Sequence, residues 1–264
     1  MLRNFLFLVK SIVFSGLIAS VTYSQDNSGP YLAARQAVVN HNYGVASDYF
    51  SRALEQSPED KSIMGQAMAA FLAAGDVERA HTLAQVLDNS PENPTLVRAL
   101  KIASLFKSKN YQGVLAQLEI DVVAGRSIDG LLKGWALMGL GQVSDALEEF
   151  DTVSESQGMQ NFSNYQKALA LASVGDFEGA DSVLMTKESA PVTMSSRGRL
   201  AYAQILVQRD RRNAAATFLT KIYDDNGDQE VLALISRIRA GANIDFDIIT
   251  NASEGAGEVF LFLA

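Results

Sequence analysis

The sequence lacks the residues on which several kinds of functional site depend. It contains no cysteine and only two histidines among 264 residues. Disulfides, cysteine nucleophiles and cysteine-based zinc sites are therefore excluded. The net charge of −8 also argues against the basic surface that nucleic acid requires. We expect no nucleic-acid partner.

Catalytic motifs are missing as well. His41 and His81 have no histidine or carboxylate partner at metal-ligand spacing. The chain has no HExxH, GxSxG or Walker phosphate-loop motif. The acidic stretch 224–228 does not have the spacing of a calcium loop and is typical of a turn. We therefore expect a protein that is not an enzyme and that uses no cofactor and no metal.

Proline is scarce, and its positions separate the helical patterns of the chain. None of the five prolines falls inside a predicted helix, where each would cost about 3 kcal/mol. No alternating strand pattern of useful length occurs in the central region. An all-α fold is therefore predicted. The five are Pro30, Pro58, Pro91, Pro94 and Pro191.

Residues 1–24 have the pattern of a secretory signal peptide. Arg3 and Lys10 precede the apolar run 11–21, which is too short to span a bilayer. Small and polar residues follow, and we expect cleavage after Ser24, which makes the protein periplasmic or secreted. The alternative is an uncleaved signal, the only route by which we expect contact with a membrane.

The chain repeats one short pattern at regular intervals. A turn residue, an apolar residue and a small residue recur, and the small residues are spaced by 34, 34, 32, 34 and 34 positions. Apolar residues recur every three to four positions on both sides of each turn, which predicts two helices per unit. The array of six units covers residues 25–228. Its small-residue positions are Ala46, Ala80, Val114, Ala146, Ala180 and Ala214.

The turn within each unit has a simple physical reason. Gly75 accepts the positive φ that ends a helix, and Asp76 can cap the next helix by accepting from its free amides. A small residue such as Ala80 then allows the two helices to approach closely.

The first copy, YGVASDYFSRALEQSP, shows the fullest pattern, with Tyr43, Ala46, Phe50, Ala53 and Pro58. It resembles the second helix and junction of the tetratricopeptide repeat, and the whole chain resembles secreted tetratricopeptide-repeat proteins of alphaproteobacteria. This resemblance implies a right-handed helical solenoid of about six units. It also implies that the first helices line a concave groove, which binds a peptide or protein segment without catalysis.

Seven side chains of the first helices are candidates for peptide binding in this groove. Aromatic side chains make effective anchors because they bury a large area at a small entropic cost. The alternative is that the aromatic residues simply pack between neighbouring helices. The candidates are Tyr31, Arg35, Leu131, Trp135, Phe162, Tyr165 and Arg199.

Two functions follow from this pattern. The first is a protein-interaction scaffold of the cell envelope that holds a partner segment in the groove. The alternative is a structural subunit of an envelope complex, which docks through its convex or C-terminal surface.

Residues 229–264 do not follow the repeat. We expect a helix, an extended linker over GANIDFDIIT, and a last helix capped by Asn251 with Glu254 three residues later. The final EVFLFLA contains five consecutive apolar residues, which no helix orientation hides without a partner. This predicts a truncated chain or a segment that docks on the solenoid or on another subunit. The alternative is a short helix folded back against the sixth unit.

Overall fold

The computed structural model describes residues 28–88, 94–185, 195–223 and 229–263. These ranges form fourteen α-helices and no strand, which confirms the all-α prediction. The predicted signal peptide and the acidic stretch 224–228 lie outside them. The helices are α1 (Ser28–Val39), α2 (Tyr43–Gln56), α3 (Lys61–Ala73), α4 (Val77–Leu87), α5 (Pro94–Lys107), α6 (Tyr111–Ile120), α7 (Arg126–Gly139), α8 (Val143–Ser154), α9 (Gln160–Ser173), α10 (Phe177–Leu184), α11 (Ser196–Gln208), α12 (Arg212–Tyr223), α13 (Gln229–Arg239) and α14 (Ala252–Leu263).

Helices α1 to α12 form six consecutive pairs. Each helix packs against its neighbours in the chain, and first helices of adjacent units also touch, as α7 does with α9 and α9 with α11. The result is a stack of helix pairs, consistent with an all-α solenoid. We call the odd-numbered helices α1 to α11 first helices, and the surface that they form the first-helix face.

The same turn joins the two helices of every unit. In the second unit Gly75 has a φ of 83°, and the Asp76 amide donates to the Phe71 carbonyl at 2.8 Å. The Asp76 side chain accepts from the Arg79 amide, so both helix ends are satisfied locally. An equivalent backbone bond and a residue with positive φ recur in the other five units. Those residues are His41, Lys109, Gly141, Gly175 and Asp210.

Helix α13 follows the six pairs and resembles a first helix. Helix α13 ends in the same turn, in which Gly241 has a φ of 74° and the Ala242 amide donates to the Arg237 carbonyl at 3.0 Å. The chain then continues without a helix until α14 begins at Ala252. Helix α13 therefore has the C-terminal turn of a first helix but no second helix directly after it.

The small residues predicted at the helix crossings are buried in five units. Ala46, Ala80, Val114, Ala146 and Ala180 are fully buried. In the sixth unit the prediction is wrong by one position, because Ala215 is fully buried and Ala214 only partly. The turn residues Gly175 and Asp210 are 35 positions apart, so the frame of the last unit is shifted by one residue.

The last helix packs on the stack. Helix α14 contacts α5, α7 and α9, which are first helices of the third, fourth and fifth units. Its Ala256 and Val259 are fully buried in the central hydrophobic cluster, together with Leu131 and Trp135. This arrangement agrees with docking on the solenoid, and it differs from a helix folded against the sixth unit. We call residues 242–263 the C-terminal segment.

Candidate functional site

Four of the predicted binding residues lie together under the C-terminal segment. Leu131 and Trp135 belong to α7, and both are fully buried. Tyr165 of α9 is 8% exposed, and Phe162 packs against the same cluster. The chain's own C-terminal segment thus covers the surface on which a partner peptide was predicted to bind.

Trp135 forms the floor beneath α14. Its indole Nε1 donates to Gln166 Oε1 at 2.7 Å, and its ring meets Phe150 edge-on with centroids 5.8 Å apart. Gly255 of α14 lies directly against the ring, so a Cβ atom at position 255 would overlap the indole. Helix α14 can approach α7 this closely because residue 255 has no side chain.

A carboxylate of α14 is held by two first helices. Glu258, which is 7% exposed, accepts a hydrogen bond from the Tyr165 hydroxyl at 3.1 Å. Arg197 of α11 forms an ion pair with the same carboxylate and donates to the Ile248 carbonyl at 2.8 Å. Burial and then the negative charge of Glu258 raise the pKa of Tyr165 well above 10.0. The hydroxyl therefore stays protonated and acts as the donor.

The irregular part of the C-terminal segment is bound through its backbone. Gln204 Nε2 donates to Asp247 Oδ1 at 2.6 Å, and the Asp247 amide donates back to Gln204 Oε1 at 3.1 Å. Gln208 donates to the Ile244 carbonyl at 2.5 Å. The first-helix face therefore satisfies main-chain groups of a non-helical segment of the same chain.

Both ends of α14 have further contacts with first helices or the turns beside them. The Ser253 hydroxyl donates to the Phe106 carbonyl at 2.6 Å. At the other end the rings of Phe162 and Phe262 stack with centroids 4.1 Å apart. Leu261 is still 66% exposed, and Phe262 is 56% exposed despite the stacking. The tip of α14 therefore presents apolar surface to solvent.

The start of α14 confirms the predicted cap. Asn251 Oδ1 accepts from the Glu254 amide at 3.1 Å, and the Glu254 carboxylate accepts from the Thr250 amide at 2.7 Å. The arrangement is a variant of the capping box, because the Glu254 side chain bonds the amide of the residue before the cap rather than that of Asn251 itself. The bond from the Thr250 amide is the largest cause that lowers the pKa of Glu254 below 4.5.

Tyr31 and Arg35 lie on a part of the first-helix face that the C-terminal segment does not cover. The Tyr31 hydroxyl accepts from Gln66 Nε2 at 2.9 Å, and the Arg35 guanidinium carbon is 5.8 Å from the Tyr31 ring centroid. A cavity of about 440 Å³ opens beside them, and Val39 at its edge is 71% exposed. Its lining residues are Arg35, Val38, Val39, Tyr43, Phe50, Gln66, Ala69, Ala70 and Ala73.

Arg199 lies apart from the other predicted residues. Its guanidinium faces Tyr223 of α12, with Nε 3.2 Å from the hydroxyl and the guanidinium carbon 5.3 Å from the ring centroid. Arg199 and Arg197 are two positions apart on α11, so their side chains lie on opposite sides of the helix. Arg197 and Gln204 contact the C-terminal segment instead.

The sequence prediction missed Arg197, Gln204, Gln208 and Glu258. Of these, Gln204 would have been indicated by the turn at Asp210, because it precedes that turn residue by six positions, as Trp135 precedes Gly141. No local signal identified Glu258, because its partners lie on α9 and α11.

Within the described ranges no group of three or more metal-ligating side chains could hold a metal ion. Among the same residues, no helix has both the length and the hydropathy needed to cross a membrane.

Comparisons with known proteins gave no match: no protein-family model fits the chain, and no curated protein is similar to it in sequence.

Proposed function

We propose that this protein is a non-catalytic protein-interaction scaffold, a right-handed solenoid of tetratricopeptide type that binds a peptide or protein segment on its first-helix face. One observation carries the proposal. The face already holds a protein segment, residues 242–263, through a buried carboxylate, backbone hydrogen bonds and a close helix contact. These are the contacts by which proteins recognise peptides.

The uncovered part of the face is the binding surface for a partner in this proposal. Val39 and the small side chains of Ala69 and Ala73 offer apolar surface beside Tyr31. No described carboxylate forms an ion pair with Arg35. Its positive charge is therefore available to an acidic group of the partner.

The repeated turn supports the tetratricopeptide type. Six units share one left-handed turn residue, one backbone bond across the turn and one buried residue four positions after the cap, which is alanine in five units and Val114 in the third. Repeats with these features stack into superhelices with extended binding surfaces.

We further propose that the protein is exported to the cell envelope. The basic residues, short apolar run and small residues of positions 1–24 support a signal peptide that is removed after Ser24. The scaffold would then act in the periplasm or outside the cell. The only membrane contact in this proposal is through a signal that escapes cleavage.

Site-specific photo-cross-linking tests the scaffold function. A photoreactive phenylalanine replaces Val39, which is 71% exposed on the first-helix face, in the full chain. A matched variant carries it at Val86, which is 54% exposed on the second helix α4. After irradiation in an envelope extract of the source cells, we expect a covalent adduct with a partner protein from position 39 and none from position 86. An adduct from position 86 alone would contradict the proposal.

A second function is favoured by the exposed tip of α14. Leu261 and Phe262 present apolar side chains to solvent at the end of a docked helix, which is typical of a surface that another subunit covers. In this alternative the protein is a structural subunit that docks through its C-terminal surface. Cross-links from position 261, with none from position 39, would support it.

A further inference from the structure

The first two units show that the stack does not need a covering segment. Their core is formed by residues of α1 to α5, including Phe50, Met68 and Leu87, with no residue of the C-terminal segment. The first-helix face above this core is open at Val39. The C-terminal segment is therefore an addition to the face of the later units rather than a regular part of each unit.

The covered face selects a particular kind of helix. It requires a residue without a side chain over Trp135, which Gly255 provides. Three positions later it holds a carboxylate, that of Glu258, between Tyr165 and Arg197. These features describe a ligand by its chemistry: a helix with a glycine, a glutamate three residues on and an apolar residue directly after it.

Helix α14 has these contact residues, but its sequence has a low intrinsic propensity to form a helix. It has two glycines within twelve residues, and glycine disfavours helix formation. It also leaves Leu261 and Phe262 largely exposed at its tip. A helix with the same contact residues but a higher helix propensity would form the same bonds. It could also leave less apolar surface exposed to solvent. Such a helix can compete with α14.

We propose that the covered face, formed by α5, α7, α9 and α11, is a second and exchangeable binding site, at which a partner's helix with this Gly-x-x-Glu-apolar pattern displaces the C-terminal segment. The proposal rests on the proposed scaffold function and names the ligand of its central units. It differs from the open site near Arg35, which is accessible without any displacement.

The test uses the full chain with Gly255→Ala, whose added methyl group overlaps the Trp135 ring and releases α14. Gly257→Ala is the matched control, because a Cβ atom at position 257 meets nothing within 4 Å. The probe is a fluorescent synthetic peptide of residues 242–264. We expect saturable binding of the peptide to Gly255→Ala. For the wild type and for Gly257→Ala, both of which keep the face occupied, we expect binding weaker by roughly tenfold or more.

Two altered peptides identify the contacts. A peptide with Gly255→Ala and a peptide with Glu258→Gln should each bind the Gly255→Ala protein several-fold more weakly than the unaltered peptide. Equal binding of all three peptides would show non-specific adsorption and overturn the proposal.

Two other results would also overturn it. The first is the absence of peptide binding to the Gly255→Ala protein while acrylamide quenching shows Trp135 exposed. The second is a wild-type dimer in light scattering with Trp135 still protected, which would assign the site to the segment of a second copy. Neither result affects the cross-link from position 39, so the proposed scaffold function is tested independently of this site.

Discussion

The Tyr165 hydroxyl donates a hydrogen bond to the Glu258 carboxylate at 3.1 Å, although the two residues are 93 positions apart in the chain. Both side chains are buried. The contact joins a first helix of the fifth unit to the C-terminal segment, and it shows that a residue predicted to bind a partner peptide binds a segment of the same chain.

Tyr165→Phe should loosen the C-terminal segment without disturbing the stack. The change removes one donor from a buried carboxylate, and hydrogen bonds to charged groups contribute about 1.5–3 kcal/mol. We expect lower protection of the α14 amides in hydrogen exchange and a loss of this order in urea unfolding. Tyr43→Phe is the control, because its hydroxyl lies at an exposed position beside His41. Equal protection in both variants would show that the Tyr165 bond does not hold the segment.

A second prediction concerns the frame of the sixth unit. Ala215→Leu should overpack the crossing of α11 and α12 and cost about 1–3 kcal/mol in urea unfolding. Ala214→Leu should cost clearly less, because Ala214 is only partly buried. Ala180→Leu provides the reference for a fully buried crossing in the fifth unit. If Ala214→Leu were the more damaging of the two neighbouring changes, the buried residue at the crossing would be Ala214, and the one-residue shift of the sixth unit would be wrong.

Acid should weaken the cap of α14. The folded-state pKa of Glu254 is lowered below 4.5, so its contribution to stability is fully present above pH 4.5 and is lost as pH falls through the lower, folded-state value. We expect acrylamide quenching of Trp135 to increase over this range. Glu254→Gln should be quenched more than the wild type at pH 7 and should show a smaller change with acid. Identical pH profiles would contradict a role of the cap.

The mature chain should begin at Gln25. The short apolar run and the small residue Ser24 predict this cleavage site. Intact-mass spectrometry of the exported protein is the measurement. A mass that includes residues 1–24, found in the membrane fraction, would show that the signal is retained as an anchor.

The helical units could be predicted because their signals are local. The turn at Gly75 and Asp76 requires only a residue that tolerates positive φ and a side chain that caps the next helix. The cap of α14, formed by Asn251 and Glu254, is equally local. Each is readable within a few residues of sequence, so helix starts and ends were recovered where these residues occur.

The frame of the sixth unit was harder to predict. One additional residue between Gly175 and Asp210 leaves the apolar period of each helix unchanged, yet it moves the buried position at the helix crossing from Ala214 to Ala215. Arg199 was the predicted residue on α11, whereas Arg197, two positions earlier and on the other side of the helix, makes the contact. The residue with positive φ in this unit is Asp210 and not a glycine, so the sequence did not show where the turn lies.

The position of the C-terminal segment on the first-helix face could not be predicted from sequence. The contact between Gly255 and Trp135 depends on the path of residues 242–251 across α11 and back over α7. Periodicity describes the helices on either side but not the direction of an irregular connection. The apolar end of the chain predicted either a truncated chain or a docked segment, and the structure places α14 against α5, α7 and α9.

The central claim is that the first-helix face binds a protein segment and that residues 242–263 now occupy part of it. Trp135 is the only tryptophan and lies fully buried beneath α14, so its accessibility to acrylamide reports occupancy directly. We predict slow quenching in the wild type and in Gly257→Ala, and fast quenching in Gly255→Ala, with circular dichroism showing at most the loss of the twelve-residue helix α14. Fast quenching of Trp135 in the folded wild-type protein would contradict the account.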